Sequence, residues 1–176
     1  MRTGNRRRRL ILAVVGAVVA TAAVIVVALN FTGGEKRIER RLERLYSLED
    51  PRFVQELGAL YVSHPALWRD DFGPGGFSWI DVADRMNSVP SYVRRAGESH
   101  AVIVLNMTPE PRANYRVGVP AAGTYRVLLS SDALRFGGSG YGKEGEARTS
   151  ASPFHGHPQS LSLDLPPLGA VVLAPI

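Results

Sequence analysis

Five consecutive apolar residues, Ala101 to Leu105, constrain this chain more than any other stretch, because they leave no polar side for water. Such a run, rich in β-branched residues, predicts a strand buried on both faces at the centre of a sheet. The residues leading into it, FSWIDVADRMNSVPSYVRRAGESH from Phe77, hold two shorter strand signals around Trp79, Ile80 and Val82 and around Val89, Tyr92 and Val93. Asp, Asn, Ser and Pro punctuate them, the chemistry of tight turns. The stretch therefore predicts an antiparallel unit, and Pro90 within its second strand predicts an edge position or a bulge.

Further strands follow at Tyr115 to Val119, Thr124 to Leu129, Ala147 to Ala151 (weakly), Ser160 to Leu165 and Ala170 to Leu173. Leu161, Leu163 and Leu165 alternate with Ser162 and Asp164, so that strand buries one face only. Pro109, Pro111, Pro120 and the pair Pro166-Pro167 fall between strands, where a missing N–H costs nothing. Seven or eight short strands separated by turns predict a mainly β fold, an antiparallel two-sheet sandwich over 69–176. Before it, Phe53, Val54, Leu57, Leu60 and Tyr61 line one face of a helix that begins at Pro51 and stops near Ser63, since His64 precedes Pro65.

Several of these motifs, in this order and spacing, resemble the C-terminal all-β domain of glycogen branching enzymes of the α-amylase superfamily. They are WID with a later SVPSYVRR, then VLNMTPEPRANYRVGVP from Val104, SSDALRFGGSG, and HGHPQSLSLDLPPLGAVVLAP ending at Pro175. The likeness runs from about Val54 to the C-terminus. It implies that VQELGALYVSHPALW, within 51–68, corresponds to the last helix of the catalytic barrel, here without a barrel to pack on. Its apolar face must find another surface, either the β domain or a partner chain. Met107, Glu110, Ser130, Ser131 and Gly169 stand where the family usually has Phe, Val, Asn, Thr and Ala, and His157 stands for an arginine.

The N-terminal third reads differently. Residues 1–9 form a basic arm with Arg2 and Arg6 to Arg9, and Leu10 to Leu29 is twenty residues without a charge. A helix of that length rises about 30 Å and crosses a bilayer. The uncleaved anchor is the favoured reading; a signal peptide cut near Ala20, Thr21 and Ala22 is the competing one. The arginines before the apolar run place the N-terminus in the cytoplasm and the C-terminal domain outside it, although Lys36, Arg37, Arg40, Arg41 and Arg44 on the far flank weaken that bias. Residues 30–50 are a juxtamembrane linker in which Ile38, Leu42, Leu45 and Tyr46 predict an amphipathic spacer helix, too short for a coiled coil.

Charge excludes one class of partner. The chain's formal net charge is +5, and the five arginines of the arm account for all of it, because the remaining basic and acidic residues balance at sixteen each. A basic nucleic-acid face has no support in the rest of the chain. With no cysteine, thiol catalysis and thiolate metal sites are excluded.

Apparent motifs fail on context. Gly140 to Gly145 spells GxGxxG, and Gly137 to Lys143 spells GxxxxGK, but no strand-turn-helix surrounds them and Glu144 stands where a Mg²⁺-binding hydroxyl is needed. A glycine-rich loop is the better reading, and no cofactor is predicted. His155 and His157, with Asp164 or His100, lack the defined third ligand of a metal site, so no metal is predicted either. Asn30-Phe31-Thr32 and Asn106-Met107-Thr108 fit the glycosylation sequon, a short pattern. Asp70, Asp71, Asp81, Asp84 and Asp132 are turn-associated, and none is a catalytic position of the family. A catalytic barrel needs about 250 residues, more than this sequence contains.

The reading is thus a membrane-tethered, non-catalytic β lobe that binds an α-glucan or a protein partner. The alternative is a truncated or split part of a branching enzyme that works only with a separate barrel. Glucan contact needs exposed aromatic rings, and Trp68, Trp79, Phe136, Tyr141 and Phe154 are the candidates.

Overall fold

The computed structural model of the 176-residue chain describes residues 51–142 and 144–176. The basic arm, the predicted membrane span at 10–29 and the linker at 30–50 lie outside the described residues, among which no helix is long and apolar enough to cross a membrane. Among the described residues, one α-helix, α1 (Pro51–Ser63), and a 3-10 turn (Pro65–Leu67) precede eight strands. These are β1 (Phe77–Asp81), β2 (Ser91–Ala96), β3 (Ser99–Asn106), β4 (Arg112–Val119), β5 (Thr124–Ser130), β6 (Glu146–Arg148), β7 (Gln159–Leu165) and β8 (Gly169–Pro175).

Six strands form one sheet in the order β1-β2-β3-β8-β5-β6, and β4 pairs with β7 in a second, two-stranded sheet; every pair is antiparallel. β3, which contains Ala101 to Leu105, lies between β2 and β8 and packs on both sides. Val102 and Val104 join Val93, Val171 and Leu173 in a core closed by Val117 and Val119 of β4 and Leu161, Leu163 and Leu165 of β7. Ala101 and Ile103 face the other way, with Val172, Leu129 and Phe136, under Phe53, Leu57 and Leu60 of α1. Two buried faces explain why this segment has no polar alternation.

The second sheet is therefore much smaller than its partner, and the helix supplies a third layer. The apolar face of α1 finds the β domain itself. Glu56 of α1 pairs with Arg135 at 2.9 Å, and Phe53 meets Phe136 edge-on at 5.2 Å between centroids.

Local chemistry sets the register. Gly97, at φ +59, turns the β2–β3 hairpin in a conformation that a side chain would strain. A bulge between Val127 and Leu129 breaks the alternation of β5, so that Tyr125 and Val127 reach the first core whereas Leu129 reaches the second. Pro90 differs from its expected place within a strand: it ends the β1–β2 connection just before β2, an inner strand of the sheet. There its carbonyl accepts from the Leu105 amide, and its missing N–H breaks no ladder bond.

Two buried polar groups tie the lobe together. Tyr125, fully buried, shares a 2.7 Å hydrogen bond with His100. Asn106, also buried, donates to the carbonyls of Glu110 and Pro166 at 2.8 and 3.0 Å and accepts from Thr108 at 2.8 Å. The sequon asparagine thus ties the β3–β4 loop to the β7–β8 turn, and its amide is not free to carry a glycan in the folded lobe.

Candidate functional site

Exposed apolar side chains are concentrated in one stretch of the chain. Among the described residues, six of the ten exposed large hydrophobic side chains lie between Trp68 and Met86: Trp68, Phe72, Phe77, Trp79, Val82 and Met86. They lie on and around β1, the edge strand of the large sheet. Phe77 and Trp79 are two residues apart in a strand, so both project from one face, the side on which Tyr92 of β2 lies opposite Trp79.

The three rings pack mostly by their edges. Phe77 and Trp79 are 5.1 Å apart at 86°, Trp79 and Tyr92 5.8 Å apart at 82°, and Phe77 and Tyr92 5.3 Å apart. These contacts fix the rings and yet leave Trp79 52% and Phe77 38% exposed. Trp68, 39% exposed, follows the 3-10 turn over β2 and β3. Leu67, beside it, accepts a hydrogen bond from Arg94 at 3.4 Å.

A polar rim borders the rings. Arg94, opposite Phe77 in the register, donates to Asp71, whose other carboxylate oxygen accepts from the Tyr61 hydroxyl at 3.4 Å. Burial, and then the adjacent Asp71 carboxylate, push the Tyr61 hydroxyl above its ordinary pKa, which keeps it a donor. Burial likewise raises Tyr92. Beside the rings the Arg94 and Asp71 charges cancel.

The other aromatic candidates fall elsewhere. Phe136 is only 7% exposed, packed under α1 with the Arg135 guanidinium 4.5 Å from its ring centroid, and offers no face to a ligand. Tyr141 is half-buried in the glycine-rich segment, its amide directed at Asp132. Phe154 lies beneath the Arg116 guanidinium at 4.6 Å and against His155 at 4.1 Å. Trp68 and Trp79 alone share one corner. Phe77 and Tyr92 were not among the expected contacts, although Phe77 alternates with Trp79 in a strand signal and could have been found on that ground.

The carboxylates close loops. Asp81 accepts the Ala83 amide at 2.8 Å and faces His155 at 3.3 Å. Asp84 accepts from the Asn87 amide at 3.0 Å and from the Tyr115 hydroxyl at 2.8 Å. Asp132, buried, accepts the Ser139 amide at 2.9 Å and so shapes the glycine-rich segment, which runs between the Leu134–Phe136 turn and β6 rather than from a strand into a helix. His100 bonds Tyr125, and Asp164 accepts the Asn114 amide at 2.8 Å, so these groups are not gathered about His155 and His157. Among the described residues no group of three ligating side chains is placed to hold a metal ion.

The fold has a family: residues 79–176 match the one described as alpha amylase, C-terminal all-beta domain, and the chain belongs to it. The curated relatives are more particular. The chain is 49% identical over 123 residues to the 1,4-alpha-glucan branching enzyme GlgB of Synechococcus sp. (strain CC9902), and equally so to that of Trichodesmium erythraeum (strain IMS101). Each match covers 69% of this chain and 16% of the relative, so the chain spans about a sixth of the length of these proteins. Among solved structures, the cyclomaltodextrin glucanotransferase CldA aligns at 21% identity with a TM-score of 0.45, over 69% of this chain and 21% of that one.

Proposed function

We propose that the chain is a membrane-anchored, non-catalytic lobe related to the C-terminal domain of glycogen branching enzymes, serving to bind α-glucan in carbohydrate metabolism. One observation carries the reading: relatives 49% identical over 123 residues are named for their action on 1,4-α-glucan, and the part that matches is this lobe. The apolar segment from Leu10 to Leu29 supports the anchor. All described strands pair antiparallel, so none is part of a parallel barrel, and glycosyl transfer in the superfamily uses carboxylates at the ends of barrel strands.

Affinity electrophoresis through gels containing glycogen tests the binding role: retardation is expected, and unchanged mobility leaves only a protein-interaction role. The purified chain should leave the iodine spectrum of amylose unchanged. With the N-terminal arm in the cytoplasm, protease added to intact spheroplasts should digest the lobe; full protection refutes that orientation.

A second reading is favoured by the share of the relatives that the chain covers, 16%. It makes the lobe a split or truncated part of a branching enzyme that works only beside a separate barrel. A neighbouring reading frame encoding a barrel without its own β domain decides for it, and restored branching on mixing the two chains tests it.

A further inference from the structure

We propose that the lobe docks on a phospholipid bilayer through the edge formed by β1 and its two flanking turns. Phe72, Trp79, Val82 and Met86 enter the boundary between headgroups and acyl chains, and Arg69 and Arg85 meet the lipid phosphates. The inference rests on the membrane-anchor reading above and goes beyond it: an anchor keeps the lobe near a bilayer, whereas this edge fixes which side of the lobe the lipid meets.

The physical case begins with the two apolar side chains most open to water. Phe72 and Met86, 104% and 92% exposed, stand in the turns before and after β1, and Val82, 62% exposed, directly follows the strand. Both turns are held in place. The Asp71–Arg94 pair fastens the first, and with it Phe72, to β2 at the residue opposite Phe77. At the other end of β1, the Ala83 amide donates to Asp81 and the Asn87 amide to Asp84, which closes the turn carrying Val82 and Met86. Exposed apolar side chains so gathered mark an interaction surface.

Their chemistry suits a fluid apolar medium. Valine and methionine have no ring to stack on a sugar, and tips that stand free in water offer no fixed shape to a rigid pocket, whereas hydrocarbon chains admit them in any rotamer. Trp79, half in water, combines an apolar body with an indole N–H, the kind of side chain enriched at the level of lipid headgroups. Arg69 follows Trp68, with its guanidinium 6.0 Å from that ring, and Arg85 precedes Met86. Both arginines are exposed and neither pairs with a carboxylate among the described residues, which leaves them to lipid phosphates. The nearby aspartates are engaged within the lobe: Asp71 with Arg94, Asp81 with His155 and Asp84 with Tyr115. Asp70 turns back on its own loop, where a Cβ at Gly73 would meet its carboxylate.

The reach of the chain selects the occupant. Residues 30–50 separate the apolar run from Pro51. A connector of that length spans at most about 70 Å, or about 25 Å as a flexible coil. An anchored lobe therefore meets its own bilayer at an effective concentration on the order of millimolar, and a face of modest affinity is enough.

The chain's only two tryptophans, Trp68 and Trp79, both belong to this region, so their emission reports on it without labels. The full chain is reconstituted into vesicles of phosphatidylcholine and phosphatidylglycerol whose acyl chains are brominated either near the headgroup or near the terminal methyl. Bromine near the headgroup should quench the emission at least about twofold, and more than bromine near the methyl end, as a shallow interfacial position requires. The double variant Phe72→Ser, Met86→Ser should lose most of that quenching. Both side chains stand in water, so its unfolding midpoint in detergent should match the parent's and show an intact lobe. Arg69→Gln with Arg85→Gln should weaken the quenching, and Phe154→Ala should leave it unchanged. If the chain resists alkaline carbonate extraction and yet its tryptophans are unquenched, the docking face is refuted and the anchor stands. If carbonate strips the chain from the vesicles, the anchor reading falls and the inference with it. Emission that responds to maltoheptaose and not to bromine assigns the edge to sugar and overturns the inference.

Discussion

The docking of α1 on the large sheet can be measured through one aromatic pair. Phe53 of the helix meets Phe136 edge-on, and Phe136 is packed among Leu129, Ala133 and Ile103. Truncating a ring buried to that degree, as in Phe136→Ala, should cost about 3–5 kcal/mol. Phe53 is half-buried, so Phe53→Ala should cost about 2 kcal/mol, roughly half of the value for full burial. An edge-to-face pair contributes about 0.5–1.5 kcal/mol beyond its buried area, and the double variant should be less destabilised than the sum of the singles by that amount. Urea unfolding followed by tryptophan emission resolves such differences, since a slope of about 1–3 kcal/mol/M turns 1 kcal/mol into a midpoint shift of about 0.3–1 M. Phe136→Leu replaces the alanine variant in the cycle if the latter does not fold. A Phe53→Ala midpoint equal to the parent's, together with zero coupling, would show that the helix packs on something other than this lobe.

Four further outcomes follow from the packing. Tyr125→Phe removes the partner of His100 and should destabilise the lobe by about 1–3 kcal/mol in thermal or urea unfolding. Burial holds His100, His155 and His157 below the ordinary histidine pKa, although Asp81 and Asp84 pull His155 the other way. Below about pH 6.5 the unfolded chain then takes up protons that the folded lobe refuses, so urea midpoints should fall from pH 7.5 to 5.5; His100→Gln should flatten the fall, and a rise on acidification would contradict it. Asp132→Ala frees the glycine-rich segment and should expose it to limited proteolysis at a cost of about 1–3 kcal/mol, whereas Arg135→Ala, which removes partly exposed ion pairs to Glu56 and Glu144 and the guanidinium beside the Phe136 ring, should cost about 1 kcal/mol. Gly118→Ala would place a methyl group 2.1 Å from the Phe154 carbonyl, so it should lower the unfolding midpoint by displacing the 150–158 segment from β4.

Strand positions were legible because each carries its own pattern. Ala101 to Leu105 announced a twice-buried strand, Leu161, Leu163 and Leu165 a half-buried one, and Pro51 with His64-Pro65 bounded the helix closely. What lies beside what was not. Nothing in Gly169 to Pro175 says that the last strand inserts between β3 and β5, or that β4 and β7 separate into a sheet of their own, because periodicity describes a segment and not its neighbour. The same limit governed the aromatic residues. Phe136 and Trp79 look alike in sequence, yet one falls under a helix and the other on an edge strand. The reversal of facing at Leu129 depends on a bulge that no residue type marks. The sequon at Asn106 says nothing of its structural part, which is to join two loops through its amide.

The margins of the six-stranded sheet have a consequence for crowding. One margin, β6, is three residues long; the other, β1, is interrupted by a register shift between Trp79 and Asp81. A straight, unbroken border would invite a neighbouring copy to zip on and continue the ladder, whereas a short border and a kinked one give it nothing to run along. Many such lobes can stand shoulder to shoulder without fusing into a fibre, even with Trp79 on display.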